Sequence, residues 1–255
     1  MKIPILMYHR VGDRLSERRF TVSTALFEQQ MRSVRKLRYH VVGLDELTSV
    51  LNGNTILAGK SVAITFDDGF QDTYENAAPI LKSFGFTATF FLVSALMGKC
   101  NTWMQDDGYP SAQLMSWASA NELLKQGFTV GSHSRSHSSL TQHNDARLAD
   151  EVAGSRREIE DHLGAPIRYF AYPYGHFDDR VLTAVHRSGY VAACSTQSGF
   201  NNVKTDRYRL RRIDISGTDS IRTFIRSLEF GENSMTTRRL FHYYSKQAVS
   251  RVGLR

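Results

Sequence analysis

Cysteine is nearly absent from this chain. Cys100 and Cys194 are the only two in 255 residues, too few for a disulfide framework or a thiolate zinc site, and both are expected as reduced thiols. Long apolar runs are absent too. The longest, Ile3 to Tyr8 and Thr89 to Met97, fall well short of the roughly 20 residues that a membrane-spanning helix needs. The N-terminus lacks the basic region, apolar segment and small-residue cleavage site of a secretory leader, so the chain is expected inside the cell. No Pro-, Gly- or Ser-rich linker and no internal repeat divides it. With 41% hydrophobic residues, it is expected to form one domain over residues 1–255 with a full core.

Acidic residues are outnumbered, 25 against 32 basic, for a formal net charge of +7. Much of the excess lies late in the chain, in Arg207, Arg209, Arg211, Arg212, Arg222, Arg226 and onward to Arg255. Such an excess is ordinarily a solvated surface. No RNA- or DNA-binding motif surrounds it, so a nucleic-acid partner is not expected. Residues 229–255 read as a basic extension. Within it Leu240, Tyr244, Ala248 and Val252 recur every four residues among arginines. That pattern suits a basic amphipathic helix, which either touches an anionic membrane peripherally or packs on its own domain.

Apolar strands alternate with helical patterns along the chain. Strands are expected at Ile3–Tyr8, Val41–Val42, Val62–Phe66, Thr87–Val93, Phe128–Gly131, Tyr169–Ala171, Tyr190–Cys194 and Leu210–Ile215. Between and after them, helices are expected at Phe27–Leu37, Leu44–Leu51, Tyr74–Phe84, Trp117–Leu124, Asp145–Leu163, Val181–Ser188 and Ile221–Leu228. Asn144 caps the helix that begins at Asp145, and Gly164 with Pro166 ends it. The stretch Gly98–Leu114, which includes Trp103, Asp106 and Asp107, has neither periodicity and reads as a functional lid loop. Such alternation points to an α/β fold of parallel β/α units, and the length suffices for a (β/α) barrel, whose chemistry gathers at the C-terminal ends of the strands.

Four polar clusters follow expected strands directly. The first is Asp67-Asp68, in Thr65-Phe-Asp-Asp-Gly69. Adjacent carboxylates repel, and a cation or a proton relieves that repulsion; the alternative is a turn whose second Asp caps a helix. The second is His133 and His137, four apart, which share one side if the local backbone is helical and can then hold one metal ion. The alternative is a pair of solvated histidines in a serine-rich loop. Two imidazoles and a carboxylate leave open positions on zinc or a similar divalent ion. The third, Arg168-Tyr-Phe-Ala-Tyr-Pro-Tyr-Gly175, is either a strand-closing turn or a constrained loop that aims the Tyr174 amide into a site. The fourth is His9, at the end of the first strand, which is either a site residue or a core histidine bonded to backbone.

Three of these stretches, Thr65–Gly69, Ser132-His-x-x-x-His137 and Arg168–Gly175, resemble in order the first three motifs of the polysaccharide deacetylases. That family comprises metal-dependent carbohydrate esterases that include chitin, peptidoglycan and nodulation-factor deacetylases. The resemblance covers residues 1 to 215 and implies a distorted (β/α) barrel of about seven strands. By position it implies Asp67 as general base, Asp68, His133 and His137 as metal ligands, Arg168 steadying the base, and the Tyr174 amide meeting the oxyanion. The usual Asp-x-x-Asp-Trp motif is missing after residue 175, and Leu240-Phe-His242 only faintly echoes the family's late Leu-x-His. Met7-Tyr-His-Arg-Val-Gly12 instead resembles the start of deacetylases of biofilm poly-N-acetylglucosamine pathways. There an N-terminal histidine acts as general acid, which makes His9 the expected acid and His242 the reserve.

The implied reaction is removal of N-acetyl groups from N-acetylglucosamine-type sugars of a polysaccharide or its precursor, with a divalent metal, expected to be zinc, and an N-acetylated carbohydrate as partner. An O-acetyl esterase or a non-sugar amidase on the same fold shares that chemistry. A non-catalytic sugar-binding barrel would have lost a base or a ligand, and all four residues of that set are present.

Overall fold

A computed structural model describes residues 2–13, 19–104 and 109–233. Seven parallel strands make the wall of the fold. They are β1 (Ile5–Tyr8), β5 (Ser61–Phe66), β6 (Thr89–Leu92), β7 (Thr129–Ser132), β8 (Tyr169–Ala171), β9 (Ala192–Cys194) and β10 (Ile213–Asp214), side by side in the order β10-β1-β5-β6-β7-β8-β9. The sheet curls, and its two ends approach through Leu210. That residue donates its N–H to Ala193 O at 2.9 Å and accepts from Ser195 N–H at 2.8 Å. A short β4 (His40–Val41) pairs with Ser61 and Val62 of β5, on the edge that β6 uses only from Thr65 onward. Outside the wall, β2 (Arg10–Val11) and β3 (Thr21–Val22) form a separate parallel pair.

Helices cover the outside of the curl. They are α1 (Thr24–Lys36), α3 (Ala78–Phe84), α4 (Trp117–Lys125), α5 (Asp145–Ala149), α6 (Ser155–Leu163), α7 (Asp179–Arg187) and α8 (Ile221–Phe230), whereas α2 (Leu44–Leu51) packs Leu44, Leu47 and Val50 with Ile5, Ala63 and Tyr169 on the inside of the curl. Asn144 caps α5 by accepting from Arg147 N–H at 2.9 Å, and Gly164 closes α6 in the left-handed region. Two expected helices are less regular than their periodicity suggests. A π-type turn at Thr73–Ala77 precedes α3, and another at Asp150–Gly154 joins α5 to α6. Each adds a residue to a turn and so rotates the side chains that follow.

Strand alternation sorts the core into two sets. Leu6, Tyr8, Ile64, Phe66, Phe90, Leu92 and Phe170 face outward onto the helices, against residues such as Phe27, Met31, Ile159 and Phe224. Ile5, Ala63, Phe91, Tyr169, Ala171, Ala192 and Cys194 form the inner set. Small residues make room there: a Cβ on Gly131 would come 2.5 Å from the Phe91 ring. Burying each large apolar side chain contributes about 1.5–3 kcal/mol. Positions that extend the inner rows past the strand ends, His9 after Met7 and Asp67 after Thr65, inherit the inward direction. No helix among the described residues is long and apolar enough to cross a membrane. Cys194 is buried and Cys100 exposed, and both are free thiols; burial pushes the Cys194 thiol up to about 12. The basic amphipathic pattern at 237–255 and His242 lie outside the described residues.

Candidate active site

The strand ends converge on a pocket of about 330 Å³, lined among others by His9, Asp67, Asp68, His133, His137 and Tyr174. Asp67 follows β5, where its N–H donates to Tyr8 O at 2.9 Å. Asp68 then enters the left-handed region with φ +71°, followed by Gly69 at φ +72°. A side chain held there costs about 1–3 kcal/mol and persists only where its surroundings enforce it. Asp68 caps no helix, since the next helical turn begins at Gln71, three residues on, and Asp68 Oδ1 accepts no hydrogen bond among the described residues. Its Oδ1 lies 3.3 Å from His133 Nε2 and 3.1 Å from His137 Nε2.

His133 and His137 do meet, but not through helical spacing. The backbone between them is an irregular loop, with Ser134 at φ +66° and His137 at φ +59°. His137 donates its N–H to Ser134 Oγ at 3.0 Å, and its ring stacks on Trp103 at a centroid distance of 4.1 Å. Trp103 comes from the expected lid loop, whose base is pinned by Gly98 N–H to Met115 O at 2.7 Å and Asn101 N–H to Ala112 O at 2.9 Å. Asp106 and Asp107 of that loop lie outside the described residues.

The donor set fits a divalent cation. His133 Nδ1 lies 2.8 Å from Ala171 O and donates its proton there, which leaves Nε2 as an acceptor aimed at a carboxylate oxygen. Two acceptors at 3.3 Å repel unless a positive charge lies between them. Asp68 Oδ1 is buried with no hydrogen-bond donor among the described residues. Ligand atoms from Asp68, His133 and His137 all lie within 4.8 Å of one another. In the metal-free protein, protons on the two imidazoles supply that charge in place of the ion: burial drives the Asp68 carboxyl upward, yet His137 and His133 in that form outweigh it and hold it well below the usual range.

Arg168 does not reach Asp67, contrary to the expectation that it steadies the base. It precedes β8, at the opposite end of the strand from the site, about 13 Å back along the chain from Tyr172. Its guanidinium pairs with Asp45, and both side chains are about half exposed. Arg212 takes the expected place. Wholly buried, it donates Nη1–H to Asp67 Oδ1 at 2.6 Å, Nη2–H to Asp67 Oδ2 at 2.7 Å and Nε–H to Ser195 O at 2.9 Å. Burial alone would raise the Asp67 carboxyl; Arg212, followed by His133, pulls it below its ordinary value. Charge counting hid Arg212 among surface arginines. Its visible signal was an arginine two residues before Asp214 on an apolar strand, which puts both on the inner face.

His9 lies at the pocket with its ring edge toward Phe20, centroids 5.5 Å apart, and its buried Nδ1 has no hydrogen-bond partner among the described residues. A positive charge on His9 lowers both Asp67 and Asp68. Tyr174 adopts φ +58° in the turn after β8, and the following N–H, from Gly175, donates to Tyr172 O at 2.9 Å. Gly175 is confined by Thr196, whose Oγ1 would lie 2.0 Å from a Cβ added there, so no side chain fits.

Residues 55–193, more than half of the chain, match the family model for polysaccharide deacetylase. The chain belongs to the polysaccharide deacetylase family. A Bacillus subtilis relative that bears a provisional polysaccharide deacetylase name is 26% identical over 215 residues, covering 84% of this chain and 72% of that one. The poly-beta-1,6-N-acetyl-D-glucosamine N-deacetylase of Staphylococcus epidermidis is 27% identical over 176 residues, 66% of this chain and 58% of that one. Among solved structures, a Streptococcus pyogenes deacetylase in complex with acetate superposes with a TM-score of 0.78 at 25% identity, covering 89% of this chain and 98% of that one. The seven-stranded curled barrel of this chain is therefore the family's, as its strand–helix alternation implies.

Proposed function

We propose that this member of the polysaccharide deacetylase family hydrolyses the N-acetyl groups of N-acetylglucosamine-type sugars in a polysaccharide or its precursor, using a divalent ion held by Asp68, His133 and His137. The observation that carries the reading is the pairing of Asp67 with buried Arg212 directly beside that three-ligand cradle, in one pocket. The naming of the staphylococcal relative for β-1,6-linked N-acetylglucosamine and the acetate in the streptococcal structure favour an acetamide over other acyl groups.

A divalent ion such as zinc in that cradle supplies Lewis acidity, polarising the acetyl carbonyl and making water a better nucleophile near neutrality. The chain's own residues carry the protons. Arg212 keeps Asp67 ionised beside Asp68, and each Asp67 oxygen retains a lone pair, so Asp67 can accept the proton of the attacking water. As the carbonyl carbon becomes tetrahedral, its oxygen gains negative charge, and in this reading the Tyr174 amide, in the turn after β8, donates to it. His9 gives a proton to the sugar nitrogen as the C–N bond breaks, because an unprotonated amine departs poorly. Water and amide are thus converted into acetate and a free amine.

Acetate release from β-1,6-linked N-acetylglucosamine oligomers, with and without a chelator, tests the reading. The native protein should release acetate, lose the activity in chelator and regain it on adding zinc. Release from O-acetylated sugars with none from the N-acetylated oligomers would assign the site to esters instead.

A further inference from the structure

His133 and His137 ride on a loop whose backbone is strained at Ser134 and His137, so something outside the loop must hold it. Its carbonyl side is tied to the segment after β6: Ser94 N–H donates to Ser134 O at 3.3 Å and Ala95 N–H to Arg135 O at 2.9 Å. Its amide side faces a carboxylate. Glu151 is wholly buried, in the π-type turn between α5 and α6. Its Oε2 accepts the N–H of Arg135 at 3.0 Å and of Ser136 at 2.9 Å. Its Oε1 accepts the Ser136 hydroxyl at 2.6 Å and lies 2.6 Å from Arg147 Nη2.

Every one of these contacts falls on residues between the two histidines or on the ion partner, and none on a histidine itself. A buried carboxylate is costly unless its lone pairs are met, and here they are met by the loop. Hydrogen bonds from amides to a charged acceptor are about twice as strong as neutral ones, enough to offset strain at the two left-handed residues. Asp would fall one methylene short. Gln would keep one oxygen for the two amides but would turn an NH2 group toward the Arg147 cation.

We propose that Glu151 is a positioning residue that sets the spacing and orientation of His133 and His137 as a metal-binding pair by capping the amides of Arg135 and Ser136. The inference rests on the metal reading given above and assigns its loop a specific anchor. The test uses zinc and cobalt(II) as probes on the full chain, in the native protein and in Glu151→Ala, Glu151→Gln and Arg147→Ala. Zinc affinity is read by competition with a chromophoric chelator, ligand geometry by the cobalt absorption bands, and folding by melting in excess chelator.

Glu151→Ala should weaken zinc binding about 10- to 100-fold, the usual consequence of losing a partner that orients a metal ligand, and should shift the cobalt bands. Glu151→Gln should recover part of both, and Arg147→Ala, which leaves the amides capped, should bind zinc within a few-fold of native. If Glu151→Ala does not fold, Glu151→Gln against Glu151→Asp decides, with Asp the weaker binder. Native zinc affinity and native cobalt bands in folded Glu151 variants would overturn the inference while the metal reading stands. Failure of the native chain itself to bind zinc would remove both.

Discussion

The guanidinium of Arg212 lies across both carboxylate oxygens of Asp67, at 2.6 and 2.7 Å, with neither residue exposed by more than a few per cent. A buried pair of this kind is held against a desolvation cost of several kcal/mol per ion, and it survives because the geometry is bidentate and further hydrogen bonds complete it. Here they run from Arg212 to Ser195 O and Thr65 Oγ1. The interior of the barrel is therefore not filled by apolar side chains alone. Its upper layer is an ion pair that presents one carboxylate to the pocket.

Arg212→Met should leave Asp67 buried without its counter-charge and destabilise the fold by about 3–5 kcal/mol at neutral pH. The native Asp67 carboxyl is depressed, so its contribution to stability is present above the ordinary carboxylate value near 4 and is lost as pH falls through the lower folded value. Burial without Arg212 drives that carboxyl up. The acidic limb of the pH–rate profile should then move to higher pH in the variant, and denaturant melts at pH 5 and pH 8 should differ less in favour of the higher pH. An unmoved acidic limb would mean that Asp67 is not among the coupled groups that set it.

Arg168→Ala should matter little. Its partner Asp45 is exposed on the far side of β8 from the pocket, and surface pairs of this kind contribute about 0–1 kcal/mol. We expect kcat/KM within about twofold of native and a small change in melting temperature. A loss comparable to that of Asp67→Asn would restore Arg168 to the site.

These two arginines mark where sequence reading works and where it stops. β8 is bounded at Tyr169–Ala171 by its own apolar residues, and α2 at Leu44–Leu51 by its period. The Asp67-Asp68 and His133, His137 clusters follow strands, and parallel topology alone brings strand ends together. An arginine's reach is different. Arg212 spans β1 to touch a residue two strands away, and only the register Leu6↔Ile213 with Leu6↔Ile64 sets that geometry. Local helical spacing likewise failed for the histidine pair, because contacts from Glu151 and Ala95 outweigh the loop's own preference. Periodicity cannot register either.

His133→Ala and His137→Ala should each abolish stoichiometric zinc binding together with activity, because two remaining protein ligands hold zinc weakly. Asp67→Asn should separate the two properties. It should keep zinc and lose activity about 10²- to 10⁴-fold, since the amide still meets Arg212 through one oxygen but takes no proton. Metal content by elemental analysis, set beside acetate release, reads both at once. Undiminished zinc in the double histidine variant would place the ligands elsewhere.

His9 carries the last prediction, since it separates an N-terminal acid from the late histidine used by the wider family. It lines the pocket at the end of β1, and its buried Nδ1 has no partner among the described residues, so one ring nitrogen is unclaimed by the scaffold. Hydrolysis should follow a bell-shaped pH profile whose alkaline limb belongs to the proton donor, while the acidic limb reports a coupled set and not one residue. His9→Ala should lower kcat on an N-acetyl sugar by about 10² to 10⁴, the range of a positioned general acid. An O-acetyl substrate with a phenolate leaving group departs without a proton, and its loss should be far smaller. Equal losses on both substrates would make His9 a residue that shapes the pocket. Leaving-group dependence in His242→Ala instead of His9→Ala would move the acid to the C-terminal segment.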